Sequence, residues 1–161
     1  MEFDELWSVI KNELPCRIKL KKGLSVFAFN RSKFEGWLKV EVCDILFEYS
    51  KNLKVEEEFV DILFEDWFIE LKTVNTSYRF DEVENKTKPV TKNIESIEKD
   101  IMKLNKKEGK KAVLFVVFPL DERKEWNSHI SKIEEKCKIL KEEPFEFFNS
   151  VKAKLYMGLV E

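Results

Sequence analysis

The fold is decided by residues 60–74, which read VDILFEDWFIELKTV. Two runs rich in β-branched and aromatic residues flank the polar pair Glu65-Asp66, and this pattern predicts a β-hairpin with buried strands. If the chain turns at this pair, Asp61 lies opposite Glu70 in the neighbouring strand. Carboxylates that face each other across strands at about 5 Å repel unless a cation lies between them.

Lys72 follows Glu70 by two residues, so its side chain points from the same face of the strand. The residues around these charges are apolar, and a charge in apolar surroundings needs a partner. A divalent metal is one solution, because carboxylate oxygens suit Mg²⁺ or Mn²⁺, and the lysine can orient or deprotonate an attacking water or stabilise developing charge. The alternative is a salt-bridged, solvent-facing side of the hairpin in which Lys72 neutralises both Asp61 and Glu70.

The segments before the hairpin predict two helices and a second hairpin. Apolar residues at helical spacing predict a helix over the first 14 residues that ends at Pro15. A Lys-Lys-Gly turn between apolar runs predicts a hairpin over 16–29. A capping-box pattern that begins at Ser32 predicts a helix as far as Asn52.

The order of all predicted elements indicates a single domain, 1–161, of mixed α/β class with a mixed sheet. A buried strand would join the hairpin through a helical crossover. From the hairpin onwards, the predicted elements are strands 60–64 and 67–74, a polar loop over 75–93, a helix capped by Thr91 and ended by Gly109, a buried strand over 112–118, a helix from Trp126 to Leu140 and a final strand over 153–160.

A Glu-x-Lys triplet carries little information by itself in this chain. The sequence has 24 Glu and 25 Lys and contains five such triplets, close to the number expected by chance. Only the triplet at 70–72 lies in an apolar β-run, and only this triplet has an acid, Asp61, at the facing position of the preceding strand. The context of the triplet therefore carries the argument.

Two short motifs of the hairpin resemble motifs of a known protein family: Val60-Asp61-Ile62 and Ile69-Glu70-Leu71-Lys72-Thr73. The helix segment Trp37–Glu41 precedes them, and a helix and an apolar strand follow. Together they resemble the PD-(D/E)xK, restriction-endonuclease-like nuclease superfamily over about 32–118. The resemblance implies a restriction-endonuclease-like α-β-β-β-α-β core with extra N- and C-terminal elements. Val60 replaces the usual proline, and Lys54–Glu58 would have to supply the first core strand.

For function, the resemblance implies a metal-dependent nuclease that hydrolyses phosphodiester bonds, with DNA the favoured nucleic acid. Asp61 and Glu70 would bind Mg²⁺ or Mn²⁺, and Lys72 would be the catalytic lysine. Glu41, which falls within the apolar arc of its predicted helix, would be the helix acid found in many members. The alternative is a catalytically degenerate member that serves as a nucleic-acid-binding or assembly subunit.

Composition narrows the chemistry further. The chain has 161 residues, 31 acidic and 29 basic, and a single histidine, so catalysis is expected to use carboxylates and lysines rather than a histidine-based triad. The net charge of −2 argues against a strongly basic nucleic-acid-binding protein, although a local basic face remains open. Candidate phosphate contacts are Arg79, Lys88 and Lys92, against the alternative that they are solvated surface.

The sequence predicts no membrane association. No apolar run approaches the ~20 residues of a membrane span, and the acidic N-terminus is unlike a signal peptide, so a cytoplasmic location is expected. The abundance of Lys and Glu resembles the composition of heat-adapted proteins. A homodimer is an option for this class, because one chain of this size has little surface beyond its core with which to grip a duplex.

Overall fold

In residues 1–87 and 89–161, the part of the chain that this computed structural model describes, six strands form one mixed sheet with helices on both faces. The strands are β1 (Leu53–Val55), β2 (Ile62–Phe64), β3 (Trp67–Asn75), β4 (Lys110–Phe118), β5 (Ile139–Glu146) and β6 (Lys152–Val160). The helices are α1 (Phe3–Leu20), α2 (Lys22–Asn30), α3 (Glu35–Phe47), α4 (Val90–Leu104) and α5 (Asn127–Glu134), with a 3₁₀ turn at Lys124–Trp126. The α/β class with a mixed sheet is confirmed.

The strand order in the sheet is β1-β2-β3-β4-β6-β5. Only the β3–β4 pair is parallel among the strand pairs of the described chain, and α4 makes the crossover between them. Parallel neighbours need such a crossover, because the chain must return to the starting end of the sheet. β4 therefore lies at the centre, where its residues from Ala112 to Phe118 are fully buried.

The hairpin that the sequence predicts is present, with its register. β2 and β3 are antiparallel, and Leu63 faces Phe68 while Phe64 faces Trp67. The turn residue Glu65 has a φ of 54°, a left-handed backbone conformation common in tight turns. The short strand β1 overlaps the segment 54–58, but it begins one residue earlier and is only three residues long.

Two hydrophobic cores cover the two faces of the sheet. Helices α1, α2 and α3 pack on the face that carries Ile69 and Leu71, and α4 and α5 pack on the face that carries Phe68 and Val113. Side chains alternate between faces along a strand, so Glu70 and Lys72 of β3 share the face of Phe68 and lie beneath α4. None of the helices in the described residues combines the length and apolarity that a bilayer span requires.

The N-terminal predictions are wrong in two places. Pro15 lies inside α1 rather than after it, and the helix continues to Leu20 because Ile18 extends the buried stripe by one more turn. The expected hairpin over 16–29 is instead the end of α1 followed by α2. The pattern of apolar residues there suits both structures, and packing against the core decides between them.

Other boundaries also differ from the sequence predictions. α3 ends at Phe47 rather than Asn52, and the N-cap position of α4 is Pro89, two residues before the expected cap at Thr91. The helix expected from Trp126 to Leu140 ends at Glu134, and strand β5 follows. β5 lies at the edge of the sheet and carries five charged or proline residues, so it lacks the apolar alternation of a buried strand.

Candidate functional site

The site is built on the edge of β3 beyond the end of the hairpin. β2 pairs only with residues 67–69 of β3, so the next backbone amides on that edge need other acceptors. The amide of Leu71 donates to Asp61 Oδ2 at 2.8 Å, and the amide of Thr73 donates to Glu35 Oε1 at 3.0 Å. Two carboxylates therefore take the place of a neighbouring strand.

The Asp61 and Glu70 carboxyl groups lie within hydrogen-bonding reach of each other, as the predicted register requires. Glu70 is only 3% exposed, and burial together with the neighbouring Asp61 raises its pKa to about 7 although Lys103 opposes the rise. Burial also acts to raise the pKa of Asp61, but hydrogen bonds from Lys39 and the Leu71 amide hold it below its usual value. At neutral pH Asp61 is thus ionised, whereas Glu70 is present in both its protonated and its ionised form.

Lys72 points from the same face as Glu70 but pairs with a different acid. Its Nζ lies 3.2 Å from Oδ2 of Asp100, which α4 carries. Burial acts to lower the pKa of Lys72, yet the Asp100 carboxylate raises it above the ordinary value. Lys72 is therefore an ammonium at neutral pH and can stabilise developing negative charge rather than accept a proton.

Two further lysines complete the arrangement. Lys39 of α3 lies 2.8 Å from Asp61 Oδ1, and Lys103 of α4 donates to Glu70 Oε1. The alternative in which Lys72 neutralises both acids is therefore not the geometry observed. These three ion pairs involve six residues, which we call the charge cluster: Lys39, Asp61, Glu70, Lys72, Asp100 and Lys103.

Sequence reasoning missed three members of the charge cluster, although a signal for two of them was present. Asp100 and Lys103 lie three and six residues after the buried Ile97, so they border the apolar stripe of α4. A helix that covers β3 with this stripe must bring them over Glu70 and Lys72. Lys39 has no comparable signal, because its position depends on how α3 packs.

The structure does not bring Glu41 to the charge cluster. Glu41 Oε2 accepts from Arg17 of α1 at 3.1 Å, in a network that also includes Asp44. Because helix residues advance about 100° each, Glu41 points to the opposite side of α3 from Lys39. The α3 acid near the cluster is Glu35, which caps Thr73 and whose charge acts on Lys72.

Two of the three predicted phosphate contacts, Arg79 and Lys92, do not join the charge cluster either. Arg79 is exposed in the segment after β3, and Lys92 is exposed in the first turn of α4. Lys92 is eight residues before Asp100, about 12 Å along the helix axis. Lys88 lies outside the described residues.

A cleft of about 360 Å³ opens over the two carboxyl groups, and Phe59, Val60 and Lys103 are among the residues that line it. The loop beside the cleft is conformationally strained, with φ of 57° at Glu56, 51° at Glu58 and 63° at Phe59. Phe59 is 85% exposed at its tip. The volume of the cleft lies at the lower end of the range of ligand-binding pockets, about 300–1,000 Å³.

The residues present fit a hydrated Mg²⁺ or Mn²⁺ held by two carboxylates. No group of three or more His, Cys, Asp or Glu side chains in the described residues is placed to hold a metal, so a cation here would have only the two carboxylates of Asp61 and Glu70 as protein ligands. Mg²⁺ is commonly bound through one or two carboxylates while it keeps several waters. A cation there would replace Lys103, whose side chain is 41% exposed and free to move into solvent.

Comparison with known proteins gives no relative from which a function could be transferred. No family model matches the chain, and no curated protein or solved structure matches it. Its function is therefore inferred from its own sequence motifs, its fold and the charge cluster with its cleft.

Proposed function

We propose that the chain is a metal-dependent nuclease of the PD-(D/E)xK type that hydrolyses phosphodiester bonds, with DNA the favoured substrate. One observation carries the proposal. The carboxyl groups of Asp61 and Glu70 meet at the edge of β3, below an open cleft, and Lys72 lies two residues further along the same face. Two carboxylates that can hold a metal ion, with an ammonium group on the same face, are one set of groups that can assist phosphodiester hydrolysis.

The order of elements around the site supports the same proposal. The chain runs α3-β1-β2-β3-α4-β4, with three antiparallel strands followed by a helical crossover to a parallel strand. This is the α-β-β-β-α-β order that the motif resemblance implies. Asp61 immediately precedes β2, and Glu70 and Lys72 lie in β3, where the resemblance expects them.

Each residue of the proposed centre has a distinct task. Asp61 and Glu70 would hold the cation, which when bound supplies activation of water and neutralises charge on the phosphate. The Leu71 amide fixes one oxygen of Asp61 and so orients that carboxylate. Lys72, kept as an ammonium by Asp100, stabilises the negative charge that develops as water oxygen bonds to phosphorus and the bond to the leaving oxygen breaks.

A cleavage assay tests the proposal. Single-stranded and duplex DNA of mixed sequence are incubated with Mg²⁺ or Mn²⁺ and the wild-type chain, Asp61→Asn or Lys72→Met. Exposed Asp81→Asn and Lys132→Met serve as matched controls. We expect both site variants to lose about 100-fold or more in rate, the usual effect of removing a charge-stabilising group, and both controls to keep it. Equal rates in all five proteins, or no metal-dependent cleavage by the wild type, would reject the proposal.

A second candidate is a catalytically silent protein of the same fold, and the pairing in the charge cluster favours it. Asp61, Glu70 and Asp100 each have a lysine of their own, so the three pairs are balanced without a metal. Calorimetric titration with Mn²⁺ separates the candidates. The nuclease binds Mn²⁺ and loses this binding in Asp61→Asn, whereas the silent protein shows the same absence of binding in both.

A further inference from the structure

One segment of this acidic chain is nearly free of acidic residues and carries a positive net charge. Residues 16–39 contain seven basic side chains and one acidic side chain, a net charge of +6. The remaining residues carry 22 basic and 30 acidic side chains, a net charge of −8. Arg31 is buried, and Arg17 and Lys39 are paired with acids, so the positive charge that a polyanion meets here comes from the four exposed lysines of the segment, Lys19, Lys21, Lys22 and Lys33.

The same segment contains an apolar groove. The groove has a volume of about 440 Å³ and lies between α2 and the start of α3. Its residues include Leu24, Phe27, Phe34 and Trp37, with the exposed Lys21 and Lys33 among them. α2 also exposes aromatic rings outside the core, with Phe27 41% and Phe29 46% accessible. Lysines interleaved with accessible rings are therefore the chemical character of this surface.

The lysines of the groove are available for a ligand. In the described part of the chain, neither Lys21 nor Lys33 has a carboxylate within ion-pair distance. This differs from Lys39, Lys72 and Lys103, which are each paired. Unpaired ammonium groups can bind phosphate without first breaking an ion pair.

We propose that this groove binds single-stranded nucleic acid, with bases stacked on Phe27 and Trp37 and phosphates contacted by Lys21 and Lys33. Single-strand-binding surfaces combine a basic groove with aromatic platforms, because every base has a stacking face and only unpaired bases expose it. A duplex hides its bases and cannot use the rings. This inference rests on the proposed function and adds to it the form of the substrate, a single strand.

One residue connects the groove to the charge cluster. Glu35 lines the groove, and its Oε1 accepts the hydrogen bond from the amide of Thr73. Thr73 follows Lys72 directly in β3. Lys72 and Thr73 point to opposite faces of β3, but the charge of Glu35 also acts on Lys72, so Glu35 is the point at which the groove approaches the charge cluster.

An acidic, amphipathic protein segment is the competing occupant, since it too would satisfy a basic apolar groove. The accessible rings favour nucleic acid, because they offer stacking faces for bases beside the unpaired Lys21 and Lys33. The two occupants also respond differently to the loss of an aromatic ring. Base stacking needs the ring, whereas an aliphatic side chain packs against a leucine equally well.

Fluorescence anisotropy with a labelled oligonucleotide of about 12 nucleotides tests the inference, since known sites span about 4–16 nucleotides. Binding is measured in EDTA, as a single strand and as its duplex, for the wild type, Lys21→Glu/Lys33→Glu, Phe27→Ala and Phe27→Leu. Lys132→Glu/Lys138→Glu makes the same charge change at exposed positions elsewhere. Thermal unfolding checks that each variant is folded, and a poly-glutamate peptide is the acidic competitor.

We expect the single strand to bind more tightly than the duplex and the groove double variant to lose about tenfold or more in affinity. Its slope of log affinity against log salt should fall by about 1.4, because two phosphate contacts are lost. Phe27→Ala and Phe27→Leu should both lose at least about fivefold, and the control pair should change little. Equal losses in the control pair, unaltered binding in folded groove variants, or groove-dependent binding of the acidic peptide alone would overturn the inference.

Cleavage in Mg²⁺, measured separately, distinguishes this inference from the proposed function. If the wild type cleaves and the groove variants bind and cleave as it does, the inference fails and the nuclease proposal stands. If no protein cleaves but single strands bind through the groove, the nuclease proposal fails and the inference stands. If Asp61→Asn stops cleavage and keeps binding in EDTA, both stand.

Discussion

Replacing Glu70 by glutamine should change the pH dependence of stability in a direction that the structure specifies. Glu70 is buried beside the ionised Asp61, and burial raises its pKa from 4.5 to about 7. The folded state therefore holds the Glu70 proton more tightly than the unfolded chain does. Ionisation of this group opposes folding, and the glutamine variant cannot ionise.

The magnitude follows from the two pKa values. Below pH 4.5 Glu70 is protonated in both states, and its favourable contribution to the free energy of unfolding is fully present. As the pH rises to about 7 this contribution is lost, because the unfolded chain ionises first. A pKa rise from 4.5 to about 7 corresponds to about 3 kcal/mol at 1.36 kcal/mol per pH unit. Above pH 7 the penalty is constant.

Urea unfolding in EDTA at a series of pH values from 4 to 8.5 measures this effect. The quantity of interest is the stability of Glu70→Gln minus that of the wild type, because titrating groups that do not interact with Glu70 cancel in the difference. We expect the difference to rise by about 3 kcal/mol in favour of the variant across this range. Glu57→Gln, an exposed change in the neighbouring loop, is the matched control and should show no such rise.

A difference that stays constant with pH would refute the reasoning, because Glu70 would then have an ordinary pKa. A difference that falls with rising pH would show that the ion pair with Lys103 outweighs burial. Repeating the series in Mg²⁺ adds a second criterion. A bound cation favours ionised Glu70, so Mg²⁺ should stabilise the wild type at pH 8 and leave Glu70→Gln unaffected.

Three further predictions concern particular contacts. Asp61→Ala leaves the Leu71 amide without its side-chain acceptor, so the free energy of unfolding measured in urea should fall by about 1–3 kcal/mol. An unchanged free energy of unfolding would show that the hydrogen bond from Leu71 to Asp61 does not stabilise the fold. Gly158→Ala places a Cβ 2.5 Å from Cys137 Sγ and should cost about 1–3 kcal/mol by the same measurement. Gly23→Ala in α2 meets no atom within 4 Å and should instead stabilise by about 0.5–1 kcal/mol, so a loss there would contradict the helical assignment of this segment.

The hairpin and its acid pair were predictable because they depend on local rules. Alternating side chains and a two-residue turn set the register, so the opposition of Asp61 and Glu70 follows from the sequence once the turn is located. The central strand β4 was predictable for a similar reason, since a continuous apolar run that ends at Pro119 suits a strand covered on both faces.

The errors arose where packing decides between two local structures. α1 continues through Pro15 because the next turn still packs on the core, and propensity alone gives no sign of this. β5 was not predicted because an exposed edge strand has no apolar alternation. Glu41 was assigned to the site because its helix has two partly apolar sides, and only the contact with Arg17 shows which side faces α1. The ion pairs of Lys39 with Asp61 and of Lys103 with Glu70 likewise depend on how α3 and α4 pack on the sheet.

The central claim is that Asp61 and Glu70 form a metal site, and a crystal structure with Mn²⁺ tests it most directly. Anomalous diffraction locates Mn²⁺ independently of the surrounding protein. The account predicts an anomalous peak between the two carboxyl groups, with Lys103 displaced from Glu70 into solvent. Crystals saturated with Mn²⁺ that show no peak there, and Lys103 still paired with Glu70, would contradict it.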